Sequence, residues 1–599
     1  MPSYSAPVED MRFVLHEVLN AESLSELPGY EDVSEDLIDA ILEEAAKMAE
    51  NELFPLNQVG DKEGCTYENG VVRTPTGFKE AYDQFREGGW IGLSADPNYG
   101  GQGMPASINF VLNEILSSAN MAFAMYPGLS QGAYDAIHMH GSDELKDLYL
   151  PKLVDGIWSG TMCLTEPHCG TDLGLIRTKA VPRDDGSYDI SGTKIFISAG
   201  EHDMTDNIVH LVLAKLPDAP PGVKGISLFL VPKFIPKEEG GDHVAGPRNG
   251  VMCGSIEHKM GIHGNATCVM NFDDAQGWLV GDPHKGLRAM FTMMNAARLG
   301  VAMQGLAIGE VSYQNGLAYA KDRRQGRALT GAKEPDQPAD SIMVHPDVRR
   351  NFLNAKAITE ASRALSYWIG MQIDVFDKHP DERVRRDADD LVSLMTPILK
   401  AFLTDNGTQI AIDCQQMLGG HGYVWEWGME QYVRDARIAQ IYEGANGIQA
   451  LDLVGRKMPK DFGRLLRQFF HPVQEFLEEH QTNPELQEFV FPLAKAFGKL
   501  QQATGIVAQK GMKNPDEAGA ASTDFLRLFG YVALGFMWAK MVITAKEKLP
   551  NANGKTAFYD GKIKTARYYM QKVLPEANAC FIRIMAGSDP VMDLDEAQF

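Results

Sequence analysis

Three short stretches combine residue types whose spacing could support chemistry. The first is Met162-Cys163-Leu164-Thr165-Glu166-Pro167-His168-Cys169-Gly170-Thr171-Asp172, followed by Lys194-Ile195-Phe196-Ile197-Ser198-Ala199-Gly200. Hydroxyls and glycines on loops between strands let the chain approach a planar heterocycle, with the hydroxyls donating to its polar edge. Two ordinary turns would read the same way. The second is Gln416-Met417-Leu418-Gly419-Gly420-His421-Gly422-Tyr423 at a helix end, where the glycines serve either as a C-cap or as a close-approach loop. The third runs from Arg434-Asp435-Ala436-Arg437 to Ile441-Tyr442-Glu443-Gly444-Ala445-Asn446. A carboxylate between an aromatic residue and a glycine can sit in an apolar pocket, where burial raises its pKa toward a general base's range. A surface Glu at a helix start is the alternative.

Several chemistries are excluded. There is no GxxxxGK[ST] and no strand-borne GxGxxG followed by an acid, and GGQG at 100–103 reads as a turn. The 7 Cys are scattered, odd in number and without CxxC spacing. That pattern predicts a reducing compartment, no disulfide framework and no metal site. With 56 Lys+Arg against 80 Asp+Glu, the net charge of −24 argues against nucleic acid and anionic membranes. Any anionic ligand must be held by local basic groups.

The elements that would position these stretches follow from periodicity. Ser34 reads as an N-cap, with Glu35 and Asp36 in the first helical turn. Leu37, Ile38, Ile41, Leu42, Ala45, Met48 and Ala49 form one apolar stripe, and Pro55 marks a break. Helical pattern resumes over 106–160, after a Gly-rich loop at Tyr99–Gly103. From Thr161 the period shortens: Tyr188–Ile197, Ile208–Ala214, Ile226–Val231 and Cys268–Phe272 read as strands, with Asp185-Gly186 as a turn. Helix returns after Gly286, interrupted by a surface loop at Gly331–Asp347. Amphipathic stretches near 463–480, 485–511, 521–548 and 557–586 fit a helical bundle. Its most apolar run, Leu528–Ala539, is short of the ~20 residues of a bilayer span and reads as a buried core helix. The expected domains are 1–160 (α), 161–280 (β), 281–457 (α) and 458–599 (a helical appendix). With no signal peptide in MPSYSAPVEDMRF, a cytoplasmic protein is expected.

In order and spacing these motifs resemble the acyl-CoA dehydrogenase family over roughly 35–455. The family's TEP-x-x-G-[ST]-D, K-x-[WF]-I-[ST]-x-G, Arg-x-Gln, Q-x-x-GG-x-G-[YF] and RDA…IYEG elements recur here in sequence, with Arg323-Arg324-Gln325 as the third. Any one is weak, but the ordered set is highly specific. The resemblance implies an α+β fold, with a helical N-terminal domain, a β middle domain and a four-helix C-terminal domain around FAD, here followed by an extra bundle.

By resemblance, Met162, Leu164, Thr165, Gly170, Thr171, Phe196 and Ser198 hold the flavin of their own subunit. Arg323, Gln325, Gln416, Gly419, Gly420 and Ala445 are the further cofactor positions, and several of these reach a neighbouring subunit's FAD, so a dimer is implied. Glu443 matches the catalytic base; Arg298, Thr171, Tyr442 and Gly444 match substrate positions. The alternative base position carries Ala297, which leaves Glu443 without a competitor. Three departures put single FAD contacts in question: Ala445 replaces Thr, Gly326 replaces an aromatic residue, and His168-Cys169 replace small residues. The appendix resembles that of the extended bacterial subgroup, which includes fatty acyl-CoA dehydrogenases and 3-methylmercaptopropionyl-CoA dehydrogenase. It would occupy the space of a second dimer, so a homodimer is expected, and its mixed charges favour bundle packing over membrane attachment.

The implied reaction is α,β-dehydrogenation of an acyl-CoA in the first step of β-oxidation. Glu443 takes the α-proton, a hydride passes to FAD, and electrons continue to electron transfer flavoprotein. A medium- to long-chain fatty acyl group is the expected substrate, with 3-methylmercaptopropionyl-CoA as the alternative. An acyl-CoA oxidase and a non-catalytic flavoprotein scaffold remain rival readings.

Overall fold

Ser34 caps the first long helix as its position predicts. Its hydroxyl accepts the Leu37 N–H at 3.3 Å, and the helix runs Glu35–Met48 with two acids in its first turn. The buried stripe is narrower than expected, since Ile38 and Leu42 are buried but Leu37 is 36% exposed. Pro55 does not break the chain. A wide turn, Ala49–Leu53, leads directly into the helix Phe54–Glu63, where Pro55 sits in the first turn and its missing N–H costs nothing. A short hairpin, Thr66–Glu68 with Val71–Arg73, interrupts the region read as wholly helical.

The computed structural model describes residues 2–599. By internal contacts the chain divides into two units: 1–44, 105–114 and 301–599 in one, 45–104 and 115–300 in the other.

The second unit is built on a sheet of seven strands. Val251–Ile256, Thr267–Val280, Tyr188–Ser198, Lys179–Pro182, Asn207–Lys215 and Trp158–Cys163 lie in that order. Ile226–Pro232 bridges Thr267–Val280 and Asn207–Lys215, so the middle of the sheet closes on itself. The runs read as strands all fall on this sheet. Asn207–Lys215 and Ile226–Pro232 are almost wholly buried, because both of their faces are covered. Val251–Ile256 and the hairpin Phe234–Glu239/Asp242–Arg248 were not anticipated; their exposed, mixed sequences carry little periodic signal.

The first unit is helical. Pro346–Lys378 and Glu382–Met417 pair along their length. The loop expected at Gly331–Asp347 ends two residues early, because Pro346 opens the next helix at a position that suits its fixed φ. That loop is folded rather than slack. Asp340 accepts the N–H groups of Ala328, Lys333 and Glu334 at 2.9, 3.0 and 2.8 Å. The appendix forms Arg464–His480, Gln487–Gly511, Pro515–Lys548, Thr556–Tyr568 and Glu576–Ala586. Among the described residues one helix, Pro515–Asn551, has the length and composition to cross a membrane, so its apolar window is longer than the run read from sequence; 78% of that window is buried. Trp538 within it donates to Ala357 O at 2.8 Å, and a Cβ on Gly530 would meet the Phe402 ring at 2.4 Å. It is therefore a core helix of this unit.

Candidate active site

The residues expected around the cofactor divide between the two units.

In the second unit, the strand Trp158–Cys163 delivers Met162 and Leu164 to the start of the Thr165–Asp172 loop. The loop is fastened to the neighbouring strand by Ile195 N donating to Thr165 O at 2.9 Å, and it closes on itself through reciprocal Glu166 and Cys169 backbone bonds of 2.9 and 3.0 Å. Beneath it lies an ion pair that the motif reading passed over. Lys194 Nζ, fully buried, donates to Glu166 Oε1 at 2.9 Å and Leu164 O at 3.0 Å. Glu166 also accepts Arg177 N, Thr178 N and Thr178 Oγ1 at 2.7, 3.0 and 2.6 Å. Burial alone would raise the Glu166 pKa, but Lys194 and Thr178 outweigh it and hold the carboxyl below its usual range; burial lowers Lys194. Glu166, His168 and Cys169 each place one ligand-type atom within 4.8 Å of the others. The Glu166 oxygens are committed to holding the loop, so no metal role is assigned.

The pair fixes a surface that fits a flat aromatic group. Phe196 takes a left-handed backbone (φ 58°) and its ring is 60% exposed. A non-glycine residue costs roughly 1–3 kcal/mol there, strain characteristic of ligand sites. Among the described residues, the hydroxyls of Thr165, Thr171 and Ser198 make no hydrogen bond. Gly170 lies so close to Thr165 that an added Cβ would sit 3.3 Å from its Cγ2. An exposed ring, unused hydroxyls and a close glycine are what a flavin's planar body and polar edge require. Arg298 donates to Asn295 Oδ1 at 3.3 Å and lies over the Phe291 ring at 5.8 Å.

In the first unit, Glu443 stands between the helices Met429–Ala439 and Asn446–Asp452, again with left-handed backbone (φ 55°). The strain is tolerated because the loop is tied down on both sides. Nζ of the fully buried Lys400 donates to Gly444 O at 2.8 Å and Asn446 Oδ1 at 2.9 Å. Gln449 Nε2 donates to Glu443 O at 3.0 Å. Asn446 Nδ2 and Gln440 Nε2 converge on Asp405 Oδ1 at 2.7 and 2.8 Å. Tyr442 donates to Gln304, and burial, then the Glu443 charge, pushes its phenol well above its ordinary pKa. Ala445 occupies the N-cap of Asn446–Asp452 and makes no side-chain cap. Lys400 escaped the motif reading; its signal is one cation inside the apolar run Leu394–Leu403.

Arg323, Gln325, Gln416, Gly419 and Gly420 are all exposed. Tyr319, one turn before Arg323, has its hydroxyl 3.0 Å from His421 Nδ1, which brings that helix end to the Gly-Gly loop. Gly419 has φ 58°, and neither Gly419 nor Gly420 has any atom within 4 Å of an added Cβ, so their backbones are open to approach.

Comparison with known proteins agrees with this layout. Sequence models of the acyl-CoA dehydrogenase N-terminal, middle and C-terminal domains match residues 36–157, 161–275 and 284–458. A model described as acetyl-CoA dehydrogenase C-terminal like matches 469–595. The chain is 41% identical to a 3-methylmercaptopropionyl-CoA dehydrogenase of Ruegeria pomeroyi, over 98% of this chain and 99% of that one. It is 34% identical to the broad-specificity linear acyl-CoA dehydrogenase FadE5 of Mycobacterium tuberculosis, over the whole of both. An acyl-CoA dehydrogenase of Bacillus anthracis complexed with FAD shares the fold at TM-score 0.74 and 21% identity, covering 94% of this chain and 90% of that one. The chain belongs to the acyl-CoA dehydrogenase family, the oxidoreductases that act on CH–CH donors and use FAD.

Proposed function

We propose that this protein dehydrogenates a short saturated acyl-CoA at Cα–Cβ, with Glu443 as the base. The observation that carries the reading is the glutamate itself: a strained, half-buried carboxylate on a loop braced by Lys400, Asn446 and Gln449. Strain of this kind persists only where the surroundings over-determine it. Glu443 removes the α-proton onto its carboxylate, and its backbone N–H would serve the thioester oxygen as negative charge develops there, as the family resemblance implies. FAD, when bound, supplies the acceptor for the β-hydride. Thr165, Thr171 and Ser198 would hold its polar edge and Phe196 its ring, with Met162 and Leu164 beneath. Arg323, Gln325, Gln416, Gly419, Gly420 and Ala445 would serve a cofactor bound by a second copy, which makes the homodimer part of this proposal. Arg298 and Tyr442 would shape the acyl-CoA site. Cytoplasmic location, transfer of electrons to electron transfer flavoprotein, and the four-domain division at 160, 280 and 457 belong to the same reading.

The likeness favours a short acyl chain over the medium- to long-chain group expected from sequence. The relative at 41% acts, by its name, on 3-methylmercaptopropionyl-CoA, and two full-length relatives from Syntrophomonas wolfei, at 34% and 32%, are butyryl-CoA dehydrogenases. FadE5, described as broad in specificity, keeps longer linear chains as the second reading. The test is anaerobic titration of the FAD-loaded protein with butyryl-, octanoyl-, palmitoyl- and 3-methylmercaptopropionyl-CoA, following the oxidised flavin band. Bleaching by the sulfur-containing or butyryl thioester supports the proposal. Bleaching by palmitoyl-CoA alone overturns the chain length, and no bleaching by any thioester overturns the activity.

A further inference from the structure

A cleft of about 430 Å³ opens in the first unit, away from the Glu443 loop. It is walled by the N-terminal turns, by one face of Pro346–Lys378 and by Pro515–Lys548. Its volume falls within the range of about 300–1,000 Å³ usual for small-molecule sites. Leu24, Leu27 and Met371 give it apolar walls, and Trp368, Gln372 and Lys540 bring the polar groups. Trp368 and Gln372 are four residues apart on one helix, so both face the cleft.

These polar groups are donors without partners. Among the described residues, no carboxylate pairs with Lys540 and its Nζ makes no hydrogen bond; its one recorded neighbour is the Phe536 ring, 5.7 Å away. Neither the Trp368 indole N–H nor the Gln372 amide has a hydrogen-bond partner among them. Burial pushes the Lys540 pKa below its ordinary value. An ammonium held against apolar walls without a counter-charge is unfavourable unless a ligand supplies one. Two other titratable groups line the cleft: Glu26, exposed, and His379, half-buried. Glu26 repels each negative charge a ligand brings, and Lys540 is the one lysine or arginine among the described lining residues, so a singly charged head is better matched than a phosphate.

We propose that this cleft is a second ligand site, which binds an aliphatic monocarboxylate with its carboxylate on Lys540, Trp368 and Gln372 and its chain along Leu24, Leu27 and Met371. The site is independent of the dehydrogenation chemistry and its ligand is a free acid rather than a CoA thioester.

The experiment uses the FAD-loaded enzyme and decanoate as probe, with decan-1-ol and decanoyl-CoA as comparisons, read by calorimetry and hydrogen exchange. Decanoate is expected to bind and to protect amides in 18–27 and 368–380. Lys540→Met should weaken decanoate by at least about tenfold, a change of about 1.4 kcal/mol, with flavin content and turnover unchanged. Decan-1-ol, lacking the charge, should bind correspondingly less well to the wild-type enzyme. Equal affinity of decanoate for Lys540→Met and wild type overturns the site. So does equal affinity of the alcohol and the acid. If the variant does not fold, the exchange data on the wild-type enzyme decide: protection confined to 161–200 and 440–449 places decanoate in the acyl-CoA site and refutes the proposal. Protection of 18–27 and 368–380 by decanoyl-CoA and not by decanoate refutes the free-acid assignment.

Discussion

Replacing Lys400 by Met tests whether the base is held by the fold or merely carried by it. Met keeps most of the side-chain volume in a fully buried position and removes the donor that holds Gly444 O and Asn446 Oδ1. What remains is longer: Gln449 Nε2 reaches Gly444 O at 3.2 Å and Thr404 Oγ1 reaches Asn446 Oδ1 at 3.4 Å. Hydrogen bonds to charged groups contribute about 1.5–3 kcal/mol each. The loss of two, offset by no longer burying an ammonium and by the weaker bonds left behind, comes to about 2–3 kcal/mol, concentrated in the 440–449 loop. That is comparable to the cost of the left-handed conformation at Glu443. Without the clamp the loop should relax, and a base misplaced by about 1 Å loses about a hundredfold in rate. The assay is stopped-flow reduction of bound FAD by butyryl-CoA, alongside flavin absorbance and hydrogen exchange over 440–449. The reduction rate should fall by about ten- to a hundredfold, with flavin retained and exchange in that loop increased. An unchanged reduction rate in a variant whose loop exchange has increased refutes the reasoning, because the brace would then be irrelevant to the base.

Glu443→Gln should retain FAD and bind acyl-CoA yet lose at least about a hundredfold in flavin reduction; near-normal reduction removes Glu443 from the base's role. Ala445→Thr supplies the missing N-cap hydroxyl of Asn446–Asp452 and should slow exchange there by a stabilisation of about 1 kcal/mol, whereas unchanged exchange would show the cap unformed. Asp374 is buried, accepting Ala106 N at 2.6 Å and Ser107 N at 3.1 Å, and burial raises its pKa to about 7. Since that lies above the unfolded value of about 3.9, native protein binds the proton more tightly, so this contribution to stability is full below about pH 4 and is lost as pH rises through about 7. Between pH 5.5 and 8 wild type should therefore lose more melting temperature than Asp374→Asn; parallel curves refute it. Arg363, fully buried, pairs with Glu114 and Glu310 at 2.6 and 2.7 Å and with Asp10, so Arg363→Met leaves three facing carboxylates and should destabilise by about 3–5 kcal/mol in chemical denaturation.

The order of helical, β and helical regions was legible because each period was long and strong. Ile226–Pro232 and the helix around Leu528–Ala539 could be read as core directly from their composition. Boundaries were less legible where chemistry rather than period set them. Pro55 and Pro346 look like breaks in a sequence but sit in first turns, the place where a helix accepts proline. The Asp340 knot was hidden for a related reason: apart from the Arg327 guanidinium at 3.2 Å, its bonds come from backbone N–H groups, which leave no side-chain pattern to recognise.

The same distinction runs through the site. Residues expected to face the ligand, such as Thr165, Phe196 and Glu443, stood out because they lie in motifs whose order and spacing resemble those of the acyl-CoA dehydrogenase family. The groups that hold them, Lys194 under Glu166 and Lys400 under Gly444, read as single charges in ordinary apolar elements. Both are buried lysines that reach backbone carbonyls, and both underlie a loop adjoining left-handed, non-glycine backbone. A buried cation suits this task because it can satisfy several acceptors from one atom, while the apolar element around it fixes its stem. Each lysine thus ties down the loop that adjoins the strained residue, Lys194 through Leu164 O and Lys400 through Gly444 O. Substitutions at these lysines should therefore alter rate and loop exchange although no residue expected to face the ligand has been replaced.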